Sequence, residues 1–79
     1  MTINDINIDD IARTTLRVYE NDVLLLWDEI DDPRFDMAQL FDSGYKAITH
    51  TSDNTITNTY TKSDSNLKIV IHIYLKRSK

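Results

Sequence analysis

The sequence predicts an α+β fold, a two-layer sandwich of the order ααβββ, in which two N-terminal helices pack on a three-stranded antiparallel meander. Three observations predict it. Apolar residues recur about every 3.6 residues in the first half of the chain, which is the helical period. From Tyr45 onward the period changes to two, as in a half-buried strand. Turn-forming residues then divide this second half into three segments.

Length and composition fit a single domain over residues 1–79. Of the 79 residues, 41% are hydrophobic, and there is one Gly and one Pro, which is typical of a globular protein. The length is close to the smallest at which a single core suffices. Residues 1–7 alternate Ile with Asn and Asp, which fits a short edge strand or an irregular lead-in equally well. Residues 77–79 are assigned as a tail.

The main helix is predicted over residues 8–31. Asp9 can act as its N-cap, because a carboxylate there accepts from free backbone amides. The face opposite the apolar stripe is charged or polar apart from Leu24, which is the contrast expected of an amphipathic helix. The apolar stripe consists of Ile8, Ile11, Ala12, Thr15, Leu16, Tyr19, Val23, Leu26, Trp27 and Ile30.

The same residues also allow a hairpin. The segments 14–19 and 23–27 are rich in residues that favour strands, and Glu20-Asn21-Asp22 can form the turn between them. We favour the helix because its apolar stripe continues across the supposed turn. Two helices broken near Asn21-Asp22 are a third arrangement that fits the pattern.

A second helix is predicted over residues 33–43. Asp32 can cap it and Pro33 suits its first position, since Pro lacks the amide that would be unpaired there. The helix should end near Ser43-Gly44, where glycine supplies the left-handed terminating conformation. Its apolar residues are Phe35, Met37, Ala38, Leu40 and Phe41.

The three strands of the meander fall within residues 45–76. Turns at Asp53-Asn54 and at residues 63–66 pair Ala47 with Tyr60 and Tyr60 with Ile69. Both turns place the same apolar residues on one inner face, which the helices should cover. These residues are Ala47, Ile56, Tyr60, Leu67, Ile69, Ile71, Ile73 and Leu75.

Charge is distributed unevenly along the chain. Residues 1–42 carry eleven acidic and three basic side chains, and residues 43–79 carry two acidic and six basic ones. Such asymmetry is typical of proteins with charged interaction surfaces. The densest acidic cluster is Asp28, Glu29, Asp31 and Asp32, which is either a solvated helix end or a recognition surface.

The sequence contains no pattern typical of catalysis, and we expect a protein that is not an enzyme and uses no cofactor or metal. There is no Cys, and the single Gly excludes a phosphate-binding loop. His50 and His72 should flank Thr57 in one row, about 10 Å apart and too far to share a metal ion. No apolar run is long enough for a membrane span, and the N-terminus is not a signal peptide, so cytoplasmic localisation is expected.

These observations favour a small acidic binding or inhibitor protein that engages a basic, nucleic-acid-binding surface of a partner protein. Helix-borne carboxylates can occupy sites built for phosphates, as in phage anti-restriction and anti-CRISPR proteins and in immunity proteins, to which the likeness is one of size and charge. Leu24 is an apolar anchor candidate in the contact. The contact residues are predicted to be Asp10, Glu20, Leu24, Asp28, Glu29, Asp31 and Asp32.

Two other functions fit the sequence. The first is a self-associating assembly protein, whose acidic half meets the basic half of a neighbouring copy. The second is a sheet that binds RNA or single strands, but Tyr74 is the only aromatic residue predicted on the outer face of the meander and its lysines are sparse. We therefore expect no direct contact with nucleic acid.

Overall fold

A five-stranded antiparallel sheet with one α-helix makes up the structure, a computed structural model that describes residues 7–76. A short 3₁₀ turn at Ile8–Asp10 precedes the sheet. The strand order is β2-β1-β5-β4-β3, so that the first and last strands of the described chain are neighbours. The elements are β1 (Ile11–Glu20), β2 (Val23–Glu29), α1 (Pro33–Asp42), β3 (Lys46–Ser52), β4 (Thr55–Thr61) and β5 (Leu67–Leu75).

The ααβββ prediction is wrong, because residues 8–31 form a hairpin instead of the main helix. Asn21 and Asp22 both have positive φ angles, of 50° and 68°, which a two-residue hairpin turn requires and a helix does not allow. β1 pairs with β2 on one side and with β5 on the other, so its backbone groups are satisfied by the sheet. The two-layer arrangement is therefore one helix on five strands. Residues 1–6 of the predicted lead-in lie outside the described residues.

An irregularity in β2 explains why the hairpin resembles a helix in sequence. The register shifts between Val18 and Tyr19, which pair with Leu26 and Leu24, and this leaves Leu25 as an extra residue. The bulge interrupts the alternation of apolar and polar residues that is typical of a strand. The continuous apolar run from Val23 to Trp27 leaves no alternation in the remainder of β2. Asn7 caps the 3₁₀ turn by accepting from the Asp9 amide, so that Asp9 is not the N-cap that we expected.

The predicted registers of the last three strands are confirmed. β3 and β4 pair Ala47 with Tyr60, and β4 and β5 pair Tyr60 with Ile69. Asp53 has a φ of 50°, which a turn residue such as Asp tolerates. The period-two pattern and the turn chemistry agreed in this half of the chain, and together they fixed the pairing.

The helix α1 begins as predicted. The Asp32 carboxylate accepts from the Arg34 amide at 3.0 Å, and Pro33 occupies the first turn. The helix ends at Asp42, and Gly44, at a φ of 94°, takes the left-handed conformation while its amide donates to the Phe41 carbonyl.

Only one narrow side of α1 contacts the sheet. Pro33 and Met37 are buried and Leu40 is partly buried, one turn apart along the helix. Phe35 and Phe41 are 66% and 75% exposed, so two of the apolar residues assigned to this helix face solvent. The helix therefore covers the middle of the sheet and leaves its edges uncovered.

The core lies between α1 and the centre of the sheet. Its apolar side chains come mainly from β5, β4 and the helix, and Leu16 and Val18 of β1 pack against them. Asn58 is buried among them, and both ends of its side-chain amide have hydrogen-bond partners. The amide oxygen accepts from Thr49 Oγ1 at 2.6 Å, and the amide nitrogen donates to Met37 Sδ at 3.2 Å. The buried hydrophobic residues are Met37, Ile56, Tyr60, Ile69, Ile71 and Ile73.

Replacing an isoleucine at the centre of β5 should be far more costly than replacing one on the edge strand β3. Ile71 is fully buried, and Ile71→Ala should lower the free energy of unfolding by about 3–4 kcal/mol through lost burial and a residual cavity. Ile48 is 70% exposed, and Ile48→Ala should change it by less than about 0.5 kcal/mol. Urea denaturation measures the free energy of unfolding of both variants. If Ile71→Ala does not fold, Ile71→Val can replace it, with an expected loss of about 1 kcal/mol. Equal costs would contradict the described core.

Glycine at the second turn position of the β1–β2 hairpin should stabilise the protein. Asp22→Gly relieves the strain of a positive φ and should raise the free energy of unfolding by about 0.5–1 kcal/mol. Asp64→Gly is the matched control, since the φ of Asp64 is not positive, and it should be neutral or destabilising. Thermal unfolding detects the difference, which is roughly 3–6 °C for a domain of this size. A destabilising Asp22→Gly would argue for helix across this turn.

Candidate functional site

The structure divides the predicted acidic contact surface between the two ends of the sheet. Glu20 lies at the hairpin turn, opposite Val23, whereas Asp28 lies five residues further along β2, about 17 Å away. Asp10 is at the same end as Asp28, because β1 begins where β2 ends. The expected helical row of carboxylates is therefore absent from the described residues. We call Asp28, Glu29, Asp31 and Asp32 the acidic end.

Three of the four carboxylates of the acidic end already have partners within the chain. Glu29 Oε2 lies 3.2 Å from Arg13 Nη2, and Asp28 Oδ1 accepts from the Glu29 amide at 2.8 Å. The side-chain hydrogen bond from Arg34, together with the Arg34 amide, lowers the pKa of Asp32 to about 2. Among the described residues, no ion pair engages Asp31, which is exposed and is the freest charge of this end.

The apolar run of β2 forms an exposed sheet edge, which the sequence reasoning missed. Val23 is 61% exposed and Trp27 47% exposed, and the three leucines between them have similar values, including the predicted anchor Leu24. A strand pairs with β2 on one side only, since the strand order ends there. We call Val23–Trp27 the apolar edge. The apolar run itself was the signal that could have revealed it.

Backbone groups of the apolar edge point away from the sheet. The Ile30 amide donates to the Thr14 carbonyl at 3.0 Å, so the alternation of an antiparallel ladder turns the amides of Glu29 and Trp27 outward. The Glu29 amide donates to Asp28 Oδ1, in agreement with this direction. The outward groups near Trp27 can accept another strand.

An apolar groove lies one strand in from the apolar edge, on the side of the sheet that α1 occupies. It has a volume of about 210 Å³ and runs between the helix and strands β1 and β5. Leu26, which pairs with Val18, lies between the groove and the sheet edge. The groove is lined by Leu16, Val18, Asp36, Gln39, Leu40, Ser43 and Ile69.

The other side of the sheet, which we call the open face, carries cations and aromatic rings. Of the described elements, only strands contribute to it. Arg17 lies near its middle, between Trp27 on β2 and Val70 on β5. The rows that the ladder places across this face are Arg13-Tyr74-Thr55, Glu29-Thr15-His72-Thr57-His50, Trp27-Arg17-Val70-Thr59-Ile48 and Leu24-Tyr19-Lys68-Thr61-Lys46.

The two histidines lie as the predicted register requires, on either side of Thr57. His72 Nδ1 is 3.1 Å from Thr57 Oγ1, and its ring stacks on Tyr74 with centroids 6.2 Å apart. Burial and the nearby Arg17 guanidinium lower the pKa of His72. In the part of the chain that the structure describes, no group of three or more His, Cys, Asp or Glu residues is arranged to hold a metal ion.

Comparisons with known proteins give this chain no relative: no family model, no curated protein and no solved structure matches it. Within residues 7–76, no helix has the length and apolar character needed to cross a membrane.

The environment of His72 should appear in its titration. Its ring protons, followed by NMR, should titrate with a midpoint below the ordinary value of about 6.5, and Arg17→Gln should raise that midpoint. Because the unfolded chain takes up this proton at higher pH than the folded chain, the free energy of unfolding should fall as the pH drops from above about 6.5 toward the pKa of folded His72. His72→Gln should remove this loss and the matched His50→Gln should keep it; a midpoint above 6.5 would contradict the described contacts.

Proposed function

We propose that this chain is a non-enzymatic protein-binding module that pairs its apolar edge with an extended segment of a partner protein. We further propose that the acidic end selects a partner with basic residues beside that segment. The observation that carries the proposal is the exposure of five consecutive large apolar residues on a strand with one free side. Strand addition to a free edge is a common mode of peptide recognition.

The contrast between the two edges of the sheet supports this choice. Proteins usually protect an edge strand with charge, Pro or polar residues, because a bare edge pairs with other chains. The opposite edge, β3, carries Lys46, His50 and several hydroxyl side chains. The apolar edge has no charged or polar residue between Val23 and Trp27. Such a strand is a liability unless a partner covers it.

Side-chain recognition is available on both sides of an added strand. Side chains of the partner would alternate between the two faces of the sheet. On the open face they would meet Leu24 and Trp27, and on the helix side they would meet Leu26 and the groove beyond it. The backbone of the edge would supply affinity and these contacts would supply specificity.

Charge supplies a second element of specificity. The apolar edge leads directly into Asp28, and Asp31 follows two residues after β2 ends. Glu29 and Asp32 are held by Arg13 and Arg34, so Asp28 and Asp31 are the carboxylates that a partner's Lys or Arg would meet. Long-range attraction of this kind mainly raises the association rate and excludes acidic partners. This retains the expected basic partner and moves the main contact from a helix to an edge strand.

Two synthetic decapeptides test the proposal. They share an alternating Val-Thr core and carry either two Lys or two Glu at each end, so that strand direction does not matter. The Lys-ended peptide should bind about tenfold more tightly and should slow hydrogen exchange of the Trp27 amide, measured by NMR. Asp28→Lys combined with Asp31→Lys should reverse the order of the two peptides.

A matched pair of edge variants locates the contact. Leu26→Lys should weaken binding of the Lys-ended peptide more than tenfold, because it places a cation beside the groove. Ile48→Lys, on the opposite edge strand, should leave binding unchanged. Equal losses in the two variants, or exchange protection on β3 in place of β2, would contradict the proposal.

Self-association is a second candidate, favoured by the symmetry that the apolar edge allows. An antiparallel pair of β2 strands centred on Leu26 brings the apolar run of one copy alongside that of the other. The acidic residues of the two copies then lie at opposite ends of the pair, so that no like charges face each other. The expected assembly of an acidic half on a basic half has less support. The two halves share one sheet, and Lys68 lies 3.7 Å from Asp22 within the same chain.

Light scattering at about 0.05 M and about 0.5 M salt separates these arrangements, since salt at the higher concentration screens exposed charges to near contact distance. Apolar pairing of β2 should persist at both concentrations and be lost in Leu26→Lys. Assembly through charge should weaken at the higher concentration. A monomer under both conditions would remove this second candidate and leave the apolar edge free for another protein.

A further inference from the structure

The five-stranded sheet brings together side chains that the three-stranded prediction kept apart. The outer face of β3–β5 alone offers Tyr74 and scattered lysines. β1 and β2 add two arginines, a tyrosine and the tryptophan to the same face. The open face therefore has an aromatic and cationic composition that was not expected from the sequence. The added residues are Arg13, Arg17, Tyr19 and Trp27.

Cations lie over or beside the rings of the open face. Arg13 Cζ is 5.7 Å from the centre of the Tyr74 ring, and Lys68 Nζ is 5.7 Å from the centre of the Tyr19 ring. Such pairs hold aromatic rings and positive charges at one surface. The row of Arg13 and Tyr74 and the row of Tyr19 and Lys68 lie six residues apart along β1, which is about 20 Å at about 3.3 Å for each residue. That distance matches the smallest sites for single strands, which span about four nucleotides.

Arg17 is the cation of the open face with the most hydrogen-bond donors free to bind a ligand. Within the described residues it has no ion pair, and its Nε is buried without a hydrogen-bond partner. Its neighbours across the sheet, Trp27 and Val70, are apolar and offer it no acceptor through their side chains. A guanidinium with free donors on the row of an aromatic residue suits a phosphate whose base stacks on that ring.

Charge on the open face is opposite to that of the whole chain. Four cations of the open face meet two carboxylates, Glu29 beside Arg13 and Asp22 of the hairpin turn, which lies 3.7 Å from Lys68. The open face is therefore locally positive, although the net charge of the protein is −4. The remaining acidic residues of the described chain lie in turns, in α1, at strand ends or on the other side of the sheet. An anionic ligand would therefore meet a local positive surface. The four cations are Arg13, Arg17, Lys46 and Lys68.

We propose that the open face binds single-stranded nucleic acid, with phosphates on Arg17 and Lys68 and bases stacked on Trp27, Tyr19 and Tyr74. Bases offer a flat π surface and phosphates offer charge, and the open face has a complement for each. An acidic peptide would use the cations and leave the rings without partners. A duplex keeps its bases stacked on one another and would not offer them to the rings. The site shares Trp27 with the apolar edge, but its phosphate contacts lie on β1 and β5 and need no strand added to β2.

Fluorescence anisotropy tests the proposal on the full chain. A labelled ten-nucleotide oligothymidylate should bind at about 25 mM salt with a dissociation constant of about 10–100 µM, in the range of sequence-independent binding. Trp27 is the single tryptophan of the chain, so quenching of its emission should accompany binding and report stacking. The slope of log K against log salt should be shallow, at about −0.7 for each phosphate contacted.

Matched variants separate this site from nonspecific attraction. Arg17→Gln and Tyr74→Leu should each weaken binding about fivefold to tenfold, and Arg17→Gln should also reduce the salt slope by about 0.7. Arg34→Gln and Phe41→Leu replace an arginine and an aromatic residue on α1, away from the open face, and should stay within twofold. Arg17→Lys keeps the charge and tests whether a loss in Arg17→Gln comes from misfolding; it should retain binding to within about threefold.

Three results would overturn the proposal. The first is no anisotropy change at protein concentrations up to about 0.5 mM, well above the expected range. The second is equal competition by polyglutamate or by a duplex of the same length, which would assign the surface to acidic polypeptides or to general polyanion binding. The third is equal weakening in Arg17→Gln and Arg34→Gln. Loss of peptide binding in Leu26→Lys bears only on the apolar edge and leaves this proposal intact.

Discussion

The pairing of β1 with β5 is the interaction on which the rest of the structure depends. It joins the N-terminal hairpin to the C-terminal meander, from Ile11 opposite Leu75 to Glu20 opposite Leu67. Side chains of this one ladder alternate between two faces. On the helix side, Leu16 and Val18 lie beside Ile71 and Ile69 and complete the core. On the other side the same strands supply most of the open face. Core and candidate surface are thus two sides of a single pairing.

The sequence was sufficient for the half of the fold in which its signals are local. Asp53-Asn54 and residues 63–66 are turn-forming, and the segments around them alternate, so register and inner face follow from residues close in sequence. The start of α1 was equally local, because Asp32 and Pro33 specify it by themselves. The prediction for the N-terminal hairpin was wrong because this segment lacks such local signals. Its alternation is broken by the extra Leu25, and its second strand is apolar on both faces.

The candidate surfaces were predictable only where they depend on local pairing. The row of His50, Thr57 and His72 followed from the meander. The position of Arg17 between Trp27 and Val70 requires two pairings, one of which joins residues more than fifty positions apart, and no periodicity encodes that. The acidic residues were identified correctly as a cluster in sequence. Their predicted helical arrangement was wrong because it was inherited from the helix that does not form.

The central place of β5 has a consequence for how the chain folds. β5 follows every other described element in the chain, and yet it separates the N-terminal hairpin from the rest of the sheet. During synthesis, β1 can pair with β5 only after β5 has emerged from the ribosome. Contacts between such distant segments form slowly, because a long loop must close before they are gained. Through that interval both edges of the hairpin are bare, including the leucine-rich strand, so the nascent chain has a period of vulnerability to aggregation or dependence on chaperones.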